Sequence, residues 1–88
     1  MTFKEALDKV DRCYRKWGLP GVAVAGDAGT EWIFQARSSG TRGGEEPDLP
    51  EPIIISKDTG GMRYCLIQDR NDRDKMYAAE KAIIYQTK

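Results

Sequence analysis

The chain contains no histidine. That absence removes the Ser-His and Cys-His nucleophile pairs, the imidazole general base and every His-containing metal site. Cysteine is scarce as well: Cys13 and Cys65 cannot between them close a structural zinc site, and two thiols make no disulfide framework. Both sit among apolar neighbours, which predicts buried thiols. Charge of one sign is not in excess, since 14 basic residues offset 14 acidic ones. A neutral chain has no surplus with which to release counterions from a phosphate backbone, so nucleic acid is not an expected partner. No apolar run approaches the ~20 residues that span a bilayer, and no membrane partner is expected. The start, "MTFKEALDKVDR", carries charge throughout and lacks the apolar centre of a signal peptide, so the expectation is a cytoplasmic protein.

What remains is ordinary for a globular domain. Eighty-eight residues make one domain, 1–88, that buries roughly 60–65% of its unfolded surface. Two Trp and four Tyr are available as anchors.

Phe3, Ala6, Leu7, Val10, Cys13, Tyr14 and Trp17 recur every three or four residues and predict an amphipathic helix. Thr2 and Glu5 have the spacing of a capping box, and Gly18 and Pro20 stop the helix. "GVAVAGDAGTEWIFQAR" alternates as a β-hairpin should, with "GDAG" as its turn. No Gly-Lys-Ser/Thr follows those glycines, so they do not form a phosphate loop. Residues 38–52, "SSGTRGGEEPDLPEP", predict a long flexible loop whose second half is acidic.

"PIIISKDTGG" poses the sharpest chemical question, because Asp-Thr-Gly is the catalytic tripeptide of retroviral-type aspartic proteases. Those proteases place two apolar residues before the Asp. Ser56 and Lys57 stand there in this chain, and Lys57 would keep Asp58 ionised, whereas a protease dyad shares one proton. The segment predicts a turn inside a second hairpin, with Gly60 left-handed and with Asp58 and Thr59 capping their own backbone. "DRNDRD" fails as a calcium loop, because its fifth position is Arg73 and no Gly follows. It predicts instead the start of a helix, with Asp72 and Asp74 at its positive end and Met76, Ala79 and Ile83 as its apolar stripe.

The expected fold is therefore α+β: an N-terminal helix, an antiparallel four-stranded sheet made of two hairpins, and a C-terminal helix. Ile33, Ile54, Cys65 and Ile67 alternate with Trp32, Phe34, Tyr64 and Leu66, so both faces of that sheet are partly apolar. Either the second helix or another molecule must cover the far face.

The helix "FKEALDKV", the strand "WIFQAR", the variable loop, "PIIISKDTGG" and the closing helix, in that order, resemble the YrhB-like immunity proteins, family thirty-five of the bacterial polymorphic toxin systems. The resemblance implies a non-catalytic protein that binds and neutralises a cognate toxin, with no cofactor and no catalytic residues to transfer. The acidic stretch itself suggests the contacts: Glu45, Glu46, Asp48 and Glu51, with Leu49 as an apolar anchor, would suit the basic cleft of an enzyme that acts on nucleic acid. Two alternatives stand beside this, a phage-encoded inhibitor of a host defence complex and a small regulatory homo-oligomer that pairs through its second apolar face. A small enzyme is the reading from another class, but no carboxylate, thiol, Lys or Tyr is grouped with a visible partner.

Because Asp58 is read as a turn residue, Asp58→Asn should leave both the melting temperature and function unchanged. Lost function in a folded variant would restore the carboxylate to a chemical role.

Overall fold

The computed structural model describes residues 1–19, 21–36, 52–66 and 68–87. Helix α1 (Phe3–Lys16) is followed by strands β1 (Val22–Asp27), β2 (Glu31–Ala36), β3 (Ile53–Ser56) and β4 (Met62–Tyr64), then helix α2 (Arg70–Lys81) and strand β5 (Ile83–Gln86). Apart from Pro52, the loop expected over 38–52 lies outside the described residues, as does Ile67.

α1 begins as its sequence predicts. The Glu5 N–H donates to Thr2 Oγ1 (3.2 Å), and the Thr2 N–H donates back to Glu5 Oε1 (3.1 Å). That backbone hydrogen bond from Thr2 holds the Glu5 carboxyl below its usual range. Ala6, Val10 and Tyr14 are buried against one face of the sheet, with Val22, Ala25, Trp32, Phe34, Ile53 and Ile55. Phe3 seals the cluster, stacked on Phe34 and edge-on to Trp32. The Tyr14 hydroxyl donates to the Phe34 carbonyl at 3.2 Å, so even the polar tip of this ring is satisfied in the core. Burial pushes that hydroxyl well above the ordinary tyrosine range.

The sheet corrects the four-stranded expectation. It has five antiparallel strands in the order β4-β3-β2-β1-β5. Both expected hairpins are present, β1-β2 and β3-β4, and the fifth strand comes from residues assigned above to the closing helix. Ile83 continues the helical spacing of Met76 and Ala79, but α2 stops at Lys81 and Ala82 leaves helical geometry (φ −125°, ψ 49°). Beyond it Ile83, Ile84 and Tyr85 bring two β-branched residues and an aromatic one, which favour a strand. The open edge of β1 then accepts them, with Val24 opposite Gln86 and Ala25 opposite Tyr85. An available edge outweighs local periodicity.

α2 packs over the second apolar face, as one of the two expectations allowed, and covers part of it. Ile33, Ile54 and Cys65 pack with Ala79 and Met76 beneath the helix. The helix must travel from the β4 edge to the β5 edge, four strand spacings of about 4.8 Å, or ~19 Å. Twelve helical residues rise about 18 Å, so α2 is long enough to cross the sheet and no longer. Its C-terminal end rests directly on β1: a Cβ at Gly26 would stand 2.2 Å from the Ala79 carbonyl oxygen. None of the helices among the described residues is long and apolar enough to cross a membrane.

The turn after β3 has Gly60 at φ +71°, a left-handed conformation suited to glycine. Thr59 caps its own backbone as expected, whereas Ser56 takes the place expected of Asp58. Ser56 Oγ accepts from the Thr59 N–H (3.4 Å) and Thr59 Oγ1 from the Gly61 N–H (3.1 Å), while Asp58 points to solvent. Cys65 is buried as expected but Cys13 only half so, and neither is in a disulfide.

Gly26→Ala should lower stability by about 1–3 kcal/mol, because backbone atoms of α2 cannot rotate out of the way of the new methyl group. Urea unfolding measures it. A cost no greater than that of Gly→Ala at an exposed strand position would contradict this close approach.

Candidate interaction surface

Among the contacts that join separate elements outside the core, two bear on function. The first is an ionic cluster where β2, β4 and α2 meet. Asp69 caps α2 by accepting from the Asn71 and Asp72 N–H groups, so Asp72 is not needed as a cap. It turns inward, only 3% exposed, and takes the Arg63 guanidinium in a two-pronged contact, Nη2 to Oδ1 and Nη1 to Oδ2, both 2.9 Å. The Leu66 N–H adds a third donor at 2.8 Å. Beside it Glu31 of β2 receives the Lys75 ammonium, with Arg63 Nε 3.7 Å away. The Arg63 hydrogen bonds hold the Asp72 carboxyl below its usual range against the opposing effect of burial. Every charge in the cluster has a partner from another element. This arrangement fastens α2 to the sheet.

The second feature lies on the α1 side, at the β4 edge. Trp17, the residue that caps the C-terminus of α1, is 46% exposed, and Tyr64 of β4 is 48% exposed. Their rings stack with centroids 6.1 Å apart and planes 26° apart. Trp17 also packs on buried Tyr14 (5.9 Å), so the pair is continuous with the core. Met62, two residues from Tyr64 and on the same face of the strand, is exposed as well. Large aromatics that are half exposed yet braced from behind are the typical anchors of protein interfaces.

Among the described residues β4 is also an open edge. The Ser56 N–H donates to the Gly61 carbonyl and the Cys65 N–H to the Pro52 carbonyl. Antiparallel pairing alternates, so Gly61, Arg63 and Cys65 turn their backbone groups toward β3. Those of Met62 and Tyr64 point outward, where the Tyr64 carbonyl accepts from Arg63 Nη1 at 3.5 Å. A strand from another protein has two residues to pair with, directly beside the aromatic rings.

The expected contacts Glu45, Glu46, Asp48, Leu49 and Glu51 all lie outside the described residues. Their chain rejoins the described fold at Pro52, whose carbonyl accepts from Cys65, next in sequence to Tyr64. The aromatic ledge itself was missed by sequence reasoning. Trp17 fits the α1 stripe and Tyr64 the strand alternation, so both read as core. The available signal was position: each is the last apolar residue of its element. Among the described residues no group of three or more acidic or cysteine side chains is placed to hold a metal. No family model, curated protein or solved structure matches this chain.

The lowered pKa of Asp72 sets a sign for pH dependence. A carboxylate with a lowered folded pKa contributes stability above its unfolded value and loses it as pH falls through the folded one. Asp72→Asn should therefore cost about 2 kcal/mol at neutral pH, less than the ~3–5 kcal/mol of a fully buried pair because water still reaches Arg63. The difference from wild type should shrink in acid. Urea unfolding at a series of pH values reads this, and a difference independent of pH would place the stabilisation elsewhere.

Proposed function

We propose that this chain is a non-catalytic binding protein that neutralises another protein, in the manner of an immunity protein acting on its cognate toxin. The observation that carries the reading is the Trp17–Tyr64 stack: two large rings, half exposed and braced by the core, next to an open strand edge. Anchors of this kind contribute most when a partner closes over them and excludes water. The β4 edge offers register through backbone pairing, while the rings and Met62 offer apolar area. The acidic residues Glu45, Glu46, Asp48 and Glu51 would steer a basic partner, with Leu49 adding an apolar contact.

The two parts of the surface should act on different rates. Replacing Glu45, Glu46, Asp48 and Glu51 together by Ser should slow association and flatten its salt dependence. Trp17→Ala with Tyr64→Ala should mainly speed dissociation, weakening the complex more than roughly thirtyfold, as hot-spot residues do. The partner is obtained by capture on the wild-type chain from its native lysate, and the rates by surface plasmon resonance. A folded double variant that binds the purified partner like wild type would remove the aromatic ledge from the interface.

A further inference from the structure

We infer that the outer flank of α2, formed by Arg73, Met76, Tyr77 and Glu80, is a two-fold interface on which a second copy of this chain docks antiparallel. These four residues line a shallow depression of about 120 Å³. Tyr77 is 60% exposed, and Arg73 and Glu80 are exposed on either side of it. Asp72 and Ala79 fasten α2 to the fold from the adjacent stripe, half-buried Met76 lies between that stripe and the flank, and Lys75 on the opposite flank binds Glu31. Among the described residues Arg73, Tyr77 and Glu80 are thus exposed and outside the contacts that hold the helix down.

The order of residues along this flank is self-complementary. A two-fold axis passing between Met76 and Tyr77 sets each Met76 against the Tyr77 of the other copy, a sulfur–aromatic contact. Three residues further out on each side, the same axis sets Arg73 against Glu80 and Glu80 against Arg73. An isologous interface requires this matching of a surface with its own rotated copy. A heterologous partner would have to supply the same alternation independently.

The neighbouring surface suits the same occupant. Glu80 also borders a larger open cleft of about 270 Å³, lined by Val24, Gly26, Ile33, Gln35, Ala79, Ile83 and Gln86. This is the part of the second sheet face that α2 leaves uncovered beside it. A helix laid antiparallel along α2, at the usual ~8–10 Å between axes, would lie over that cleft. By symmetry α2 would cover the same region of the other copy. Three-turn helices alone make a small contact beside the ~1,200–2,000 Å² of stable interfaces, and the open sheet face supplies further apolar area. The dimer leaves the Trp17–Tyr64 ledge on the opposite face of the sheet unobstructed, so it is independent of the binding reading above.

Sedimentation equilibrium of the full chain over a concentration series tests the interface. The wild type should be a dimer at micromolar concentration. Glu80→Arg should weaken association by more than roughly tenfold, since the symmetry places like charges together twice. The charge-exchanged Arg73→Glu, Glu80→Arg variant should associate again, and because all these side chains are exposed the variants should keep the wild-type circular dichroism. A wild type that stays monomeric at its highest soluble concentration would overturn the inference. A dimer unaffected by Glu80→Arg would overturn it too, as would one dissociated by Tyr64→Ser, which would move the contact to the β4 edge.

Discussion

The two-pronged contact between Arg63 and Asp72 decides how this domain closes. Its sheet is apolar on both faces, and each face needs a cover. α1 covers the first with a broad stripe of aliphatic and aromatic residues, and Asp11 and Lys9 add hydrogen bonds to the Val22 N–H and the Gly60 carbonyl at its margin. α2 has few apolar residues to bury, chiefly Met76 and Ala79, and hydrophobic contact alone would hold it weakly. The ionic cluster compensates at one end, joining the first turn of the helix to β4 and, through Lys75 and Glu31, to β2. Gly26 compensates at the other, letting the helix backbone lie against β1. Once both ends are fixed, the chain leaving α2 is delivered to the open edge of β1, and β5 forms there.

This division of labour leaves two different surfaces on the two sides of the sheet. On the α1 side the exposed rings are extensions of the core, since Tyr14, Trp17 and Tyr64 follow one another from fully buried to half exposed. Their positions are set by a helix cap and a strand, so little conformational freedom remains to be lost when a partner binds. On the α2 side a short helix crosses the strands and leaves part of the sheet beside it open. The first surface suits a rigid anchor for another protein. The second, with its paired opposite charges, suits its own copy.

Much of the fold was legible in the residues. The Thr2–Glu5 pair marks the start of α1, the strand alternation marks both hairpins, and Ser56-Lys57 before Asp58 marks a turn in place of a catalytic loop. Even the doubt about the second sheet face was justified, since Ile33 and Ile54 needed a cover and α2 provides it. All of these signals are local, carried by neighbours within a few positions. The periodicity of the last segment was misleading for the same reason. Met76, Ala79 and Ile83 share a helical spacing, and nothing local records that β1 has an unpaired edge waiting for Ile83.

The candidate surfaces depended on tertiary structure more strongly. Apolar spacing places Trp17 in a stripe and Tyr64 in an alternation, but it does not say where a neighbouring element ends; both rings lie where the cover of α1 runs out. Asp72 reads as a helix-start carboxylate until Arg63, nine positions earlier, is brought opposite it by the β3-β4 hairpin. By itself the sequence determined the elements, their capping and the need for two covered faces, because propensity and patterning act between near neighbours. Only the tertiary structure decided the fifth strand, the Arg63–Asp72 ion pair and which aromatics stay at the surface, because each depends on groups that the chain brings together from a distance.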